Sequence, residues 1–184
     1  DLAAYVDAFT ASGFFGPISW YRNLDHNHAL VADLGRRLHG RRLDHLEVIS
    51  FSALKTFDPP VSALDGGTVR GVSRHGKFLD IEASGLHLVL HLARAGWVRW
   101  RDEVPALPPK PSSKSPLALR VVLDDGSGLD VTEAGTQKRL ALYVVHTPDQ
   151  VPGIARLGPD PLDEEFTVQR LAAILAAAGR AGGR

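Results

Sequence analysis

Apolar positions along this chain follow two different periods. Leu2, Tyr5, Val6 and Phe9 recur at helical spacing until Ser12-Gly13 interrupts them. A second helical stretch covers residues 29–38, with Leu30, Leu34 and Leu38 on one side and Gly40 closing it. From Arg42 to Val145 the period becomes two. Leu43, His45, Glu47 and Ile49 alternate with Asp44, Leu46, Val48 and Ser50 in a first strand. Residues 68–73 and 77–83 supply two more, with Gly76 as the bulge or bend between them. The clearest alternation is 86–92, where Leu86, Leu88, Leu90 and Leu92 share one face and His87 and His91 the other. Residues 96–101, 117–123, 129–133 and 139–145 follow, the middle pair joined by the turn signal Asp124-Asp125-Gly126-Ser127-Gly128. Seven or eight short strands at regular spacing predict a β-sandwich or barrel, and the leading helix makes the class α+β, mostly β.

Two segments interrupt or close this pattern. Residues 105–116 hold five of the twelve prolines, an exposed connection within one domain. Residues 167–178 predict a final helix with Thr167 as N-cap and Leu171, Ile174 and Leu175 as its apolar stripe. Residues 179–184, rich in glycine and arginine, read as a linker toward a further module.

Composition narrows the class. At 184 residues the chain suits one domain with or without an appendage, a size at which about 68–70% of the unfolded surface is buried. There is no cysteine, which excludes a disulfide framework, cysteine-ligated zinc and a thiol nucleophile. There is no methionine either and position 1 is Asp, so the chain is expected to be a fragment or a processed piece. No apolar run reaches the roughly 18–20 residues that span a bilayer, and the first residues lack a signal-peptide pattern.

Charge changes the picture only locally. Lysines plus arginines number 21 and acids 21, which denies a global nucleic-acid or membrane signal. Yet residues 66–101 carry six basic side chains against two acids, and residues 102–136 three against six. One face of the sheet could bind phosphate while the molecule stays neutral; a normally solvated mixed surface is the plainer alternative. His87 and His91 lie on one strand face about 13 Å apart at roughly 3.3 Å per residue, too far to share a metal ion. No metal site is therefore expected. There is no G-x-S-x-G elbow, no P-loop and no G-x-G-x-x-G before a helix.

Six runs carry a resemblance. They are Ala32-Asp33-Leu34-Gly35-Arg36-Arg37-Leu38, Phe51-Ser52-Ala53-Leu54-Lys55-Thr56-Phe57-Asp58-Pro59-Pro60 and Arg74-His75-Gly76-Lys77-Phe78-Leu79, followed by the stretch from His87 to Trp97. Thr132-Glu133-Ala134-Gly135-Thr136-Gln137-Lys138-Arg139 and Leu157-Gly158-Pro159-Asp160-Pro161-Leu162 complete them. In this order they resemble the N-terminal domain of the formamidopyrimidine-DNA glycosylase and endonuclease VIII family, over residues 30–178. The resemblance implies a two-layer antiparallel β-sandwich with flanking helices, spanning residues 29–166, and a C-terminal helix and tail at 167–184. It implies excision of damaged bases from DNA followed by strand cleavage at the abasic site.

Residue by residue, the resemblance implies DNA-binding roles. Lys77 matches the family's strand lysine that holds a phosphate beside the lesion. Arg94 stands where the family inserts a side chain into the void left by the flipped base. Lys138 and Arg139 fall in the second DNA-facing loop, and Arg74 and His91 join the set. The partner implied is duplex DNA with a damaged base or abasic site, bound weakly, with no membrane partner and a bacterial cytoplasmic, nucleoid-associated setting. No cofactor is expected; zinc would belong to a helix-two-turn-helix and zinc-finger module beyond residue 184.

The family's nucleophile is the amine of an N-terminal proline followed by glutamate. Here Asn27-His28-Ala29-Leu30 takes that place, with twenty-six residues ahead of it. The expectation is therefore a DNA-repair domain without its catalytic amine. Residues 1–28 have another resemblance: Tyr5-Val6 and the run from Ser12 to Asn23, containing Trp20-Tyr21-Arg22-Asn23, resemble the cap region of α/β-hydrolase epoxide hydrolases. That family's epoxide-binding tyrosine would be Tyr21, the one residual catalytic position. A join near residues 28–31 suggests a chimera. The alternatives are a non-catalytic structural or designed fusion, and an epoxide hydrolase fragment.

Overall fold

The computed structural model describes residues 29–106, 115–134, 137–160, 163 and 165–181. Helix α1 (residues 29–38) turns Leu34 and Leu38 into the core. Its exposed side carries Asp33, bonded to Arg36 and Arg37, and the Arg37 guanidinium lies 5.1 Å from the Trp100 ring centroid. Eight strands follow: β1 (Leu43–Val48), β2 (Val69–His75), β3 (Phe78–Ala83), β4 (Leu86–His91), β5 (Gly96–Arg101), β6 (Leu117–Leu123), β7 (Gly128–Glu133) and β8 (Ala141–Val145). They form two antiparallel four-stranded sheets, ordered β1-β6-β7-β5 and β2-β3-β4-β8. The α+β, mostly β sandwich expected from the alternation is the fold observed.

Alternation decides which side chains meet between the sheets. Leu79, Ile81 and Ala83 of β3 join Leu88 and Leu90 of β4, Val121 and Leu123 of β6, and Val131 of β7 in one core. Each such leucine or valine contributes about 1.5–3 kcal/mol by leaving water. The opposite face of the second sheet is also covered. Phe78, Val89 and Val145 pack there against Val151 and Ile154 from the segment after β8. That is why Val89 is wholly buried between the two partly buried histidines.

On the outer face of the first sheet a charge is buried instead. Asp130 is 2% exposed and accepts from Arg120 Nε at 2.7 Å and Arg101 Nε at 2.9 Å. Burial alone would raise the Asp130 carboxyl, but the two guanidinium groups outweigh it and hold it below its ordinary value. Arg120 also donates to the Pro105 carbonyl at 2.5 Å, fixing the start of the connection after β5.

Several boundaries differ from those the pattern predicts. β2 runs on to His75, so Gly76 and Lys77 form a two-residue turn and Lys77 is not a strand residue. Gly76 takes φ +56, the left-handed region that glycine enters freely. β8 begins at Ala141 rather than 139, because the amides of Arg139 and Leu140 bond a side chain, Glu133 Oε1. Helix α2 (Val168–Ala181) is capped by Thr167 as predicted, its Oγ1 accepting from Arg170 N at 3.2 Å. It continues through residues read as linker, and its Leu171 and Ile174 are exposed rather than buried. Among the described residues no helix is long and apolar enough to cross a membrane.

Candidate nucleic-acid interface

Two of the three connections that pass between the sheets, β4–β5 and β7–β8, start at the same end of the sandwich. In the second sheet His75 pairs with Phe78, Phe78 with His91, and His91 with Ala141. The β2–β3 turn, the exit of β4 and the entry of β8 therefore lie side by side. In the first sheet Gly96 pairs with Glu133, and Ala134 N donates to Ala95 O at 3.1 Å. The β4–β5 crossing and the β7–β8 crossing are thus tied to each other where they leave their sheets.

Each connection holds its basic residues by a specific device. In the β2–β3 turn, Arg74 pairs with Asp160 and donates to the Gly76 carbonyl at 2.7 Å. Its guanidinium is committed to fastening the turn, and Lys77 is the exposed cation there. In the β4–β5 crossing, Ala93 has φ +54, a conformation uncommon for a residue with a side chain. A Cβ at Gly96 would lie 2.1 Å from the Leu92 carbonyl oxygen, so glycine is required for so tight a crossing. Arg94 projects from its tip and is exposed.

The β7–β8 crossing is anchored from beneath. Glu133 is 3% exposed and its Oε1 accepts from Arg139 N at 2.7 Å and Leu140 N at 3.1 Å. Lys138 Nζ donates to the Ser115 carbonyl at 3.0 Å, while the Arg139 side chain is exposed. Among the described residues Lys77, Arg94 and Arg139 take part in no ion pair.

His91 is half-buried on the outer face of the second sheet, its ring centroid 5.0 Å from that of Phe78. Burial pushes its pKa below the ordinary 6.5, and the Lys77 charge pushes it further the same way. His87 bonds elsewhere, its Nδ1 lying 3.0 Å from buried Asp80, which also meets His75 Nε2 at 3.1 Å. The two histidines four apart on β4 therefore have separate partners. Among the described residues no group of three or more His, Asp or Glu is arranged to hold a metal ion.

The geometry brings Lys77, His91, Arg94, Lys138 and Arg139 to one end, with Arg74 as a support of the turn. Tyr21 and the rest of residues 1–28 lie outside the described residues. Glu133, Phe78 and Asp160 stand within the resembling runs, but sequence reasoning gave none of them a role. An acidic residue at the last position of a strand was the only available sign of the first, and nothing local marks Asp160 as a partner of Arg74.

The description "Formamidopyrimidine-DNA glycosylase N-terminal domain" fits residues 27–139. Formamidopyrimidine-DNA glycosylase of Symbiobacterium thermophilum is 32% identical over 147 residues, covering 76% of this chain and 45% of the relative. That of Moorella thermoacetica is 30% identical over 144 residues, covering 76% and 50%. This chain thus spans about half the length of the curated relatives it matches. A crystal structure of Lactococcus lactis Fpg (MutM) complexed with FAPY-dG-containing DNA superposes with a TM-score of 0.65 at 22% identity, over 80% of this chain and 54% of that one. At that identity the likeness speaks for the fold.

Proposed function

The chain belongs to the formamidopyrimidine-DNA glycosylase N-terminal domain family, and from that premise we propose that it engages duplex DNA carrying a damaged base or an abasic site. The observation that carries this reading is the convergence of Lys77, Arg94 and Arg139, three exposed cations outside any described ion pair, on connections that leave one end of the sandwich. Lys77, on a turn fastened by Arg74, holds a phosphodiester beside the lesion. Arg94, on the tight β4–β5 crossing, enters the space vacated when the base leaves the stack. His91, kept neutral near pH 7, serves as an N–H donor to phosphate and not as a cation. Lys138 and Arg139 take the second backbone contact.

Strand cleavage is not part of this proposal. Asn27-His28 occupies the place of the family's Pro-Glu and is peptide-bonded within the chain, so it offers no free secondary amine to attack an opened sugar. A join between two parents near residues 28–31 belongs to the same proposal. A coding sequence that continues upstream into an intact Pro-Glu start would sink that idea.

Fluorescence anisotropy with an abasic-site duplex tests the reading. We expect weak binding whose logarithm falls with log salt at a slope of about −3 to −4, given about three to four cationic contacts from Lys77, Arg94, Lys138 and Arg139. We expect no covalent adduct on borohydride treatment. A trapped adduct would refute the inactivity, and absence of binding at low salt would refute the DNA reading in favour of a structural role.

A further inference from the structure

Trp97 is 66% exposed although the core face of its own strand has room for aromatic side chains, as Trp100 shows. β5 is the edge of its sheet, and its alternation turns Val98 and Trp100 inward and Trp97 and Arg99 outward. Trp97 follows Gly96 immediately, so its ring stands at the mouth of the crossing that carries Arg94. Arg99 lies two residues further on the same face, about 6.6 Å along the strand at roughly 3.3 Å per residue. Among the described residues neither Arg94 nor Arg99 takes part in an ion pair, whereas Arg101, next on that face, is bonded to Asp130.

An indole held on a rigid strand between two unneutralised guanidinium groups suits a ligand with an aromatic face and an anionic backbone. A membrane surface is ill-matched, because one ring on an edge strand offers little apolar depth. We propose that Trp97 is a stacking platform for an unpaired base of the DNA strand beside the lesion, with Arg99 on the adjacent phosphate and Arg94 in the neighbouring void. This rests on the reading that the chain binds damaged DNA, and adds a contact that the sequence resemblance does not assign. Stacking is sequence-tolerant, since every base presents a π-face, so this contact strengthens binding without choosing a lesion.

The full chain and its Trp97→Leu, Trp97→Phe and Arg99→Gln variants test it, with thermal melts confirming the fold of each. Anisotropy is read on an abasic-site duplex and on a single-stranded oligonucleotide across a salt series. Trp97→Leu is expected to weaken binding about 5- to 140-fold, the value of one stacked base, and to leave the salt slope unchanged. Trp97→Phe should keep most of the affinity, and Arg99→Gln should make the slope shallower by about 0.9. Quenching of tryptophan fluorescence by DNA should disappear in Trp97→Leu. Wild-type binding matched by Trp97→Leu would overturn the platform and leave the family reading intact; a wild type that binds no DNA overturns both. A dimer seen by sedimentation that Trp97→Leu dissolves without changing DNA affinity would assign the face to a second copy, and so also overturn the proposal.

Discussion

His91 shows how two neighbours set one side chain's charge. Its ring is half-buried against Phe78, and burial is the larger cause of its lowered pKa; the Lys77 ammonium adds to it. A histidine whose folded pKa is depressed is favoured in the neutral form by the fold. Its contribution to stability is therefore complete above the unfolded value of 6.5 and is lost as pH falls through the folded value. Replacing Lys77 by Gln should raise the His91 midpoint only part of the way toward 6.5, because burial remains. Two-dimensional NMR titration of the imidazole protons reads this directly, and an unchanged midpoint would mean that Lys77 does not act on the ring. The resemblance put Lys77 and His91 together on paper. Their mutual effect was hidden, because it depends on Phe78 lying across from His91 in the β3–β4 register.

At the scale of elements, the β7–β8 crossing is held by a side chain where a strand pair would otherwise be. Glu133 is buried at the last position of β7 and takes the amides of Arg139 and Leu140. Truncating it to Ala leaves two donors without their acceptor, a cost of about 1–3 kcal/mol for each that stays buried. Gln keeps an acceptor oxygen in the same place. Glu133→Ala should therefore speed hydrogen exchange at Arg139 and Leu140 and weaken DNA binding, and Glu133→Gln should restore much of both. Unchanged exchange in the Ala variant would show that the carboxylate does not position the crossing. The same scale explains what the sequence made legible. The strands were readable because leucine and valine recur at every second position against one continuous core. The second apolar layer was not, because Val151 and Ile154 come from a non-periodic segment that settles on the far face of the sheet. The ends of β2 and β8 were misread because a turn and a side-chain anchor, not hydrophobicity, set them.

For the whole molecule, balanced charge at neutral pH makes acid the sensitive direction. The carboxyl of Asp125 is held at about 2 by the Ser127 hydroxyl, the Ser127 amide and Arg41. Asp33 is lowered by Arg37 and Arg36, and Asp130 by Arg120 and Arg101 against the opposing effect of its burial. Carboxyls depressed in the fold stabilise it above the unfolded value of 3.8, and that contribution is lost as pH falls through their folded values. His45, raised chiefly by Asp44, has the opposite sign: its contribution is complete below 6.5 and is lost as pH rises through its folded value. Acidification also strips the 21 acidic residues of charge and leaves 21 lysines and arginines to repel one another. Among these carboxyls Asp130 is the buried one, so it should govern the largest step. Asp130→Asn removes the counter-charge of buried Arg120 at an expected cost of about 3–5 kcal/mol, or about 6–20 °C in Tm for a chain this long. Because the variant has already lost the carboxylate, its melting temperature should fall less than the wild type's as pH is lowered through and below 3.8. The gap between the two melting curves should close from neutral pH toward acid. A gap that stays constant would place the acid sensitivity in the general repulsion of the basic side chains and take it away from the ion pair on the outer face of the first sheet.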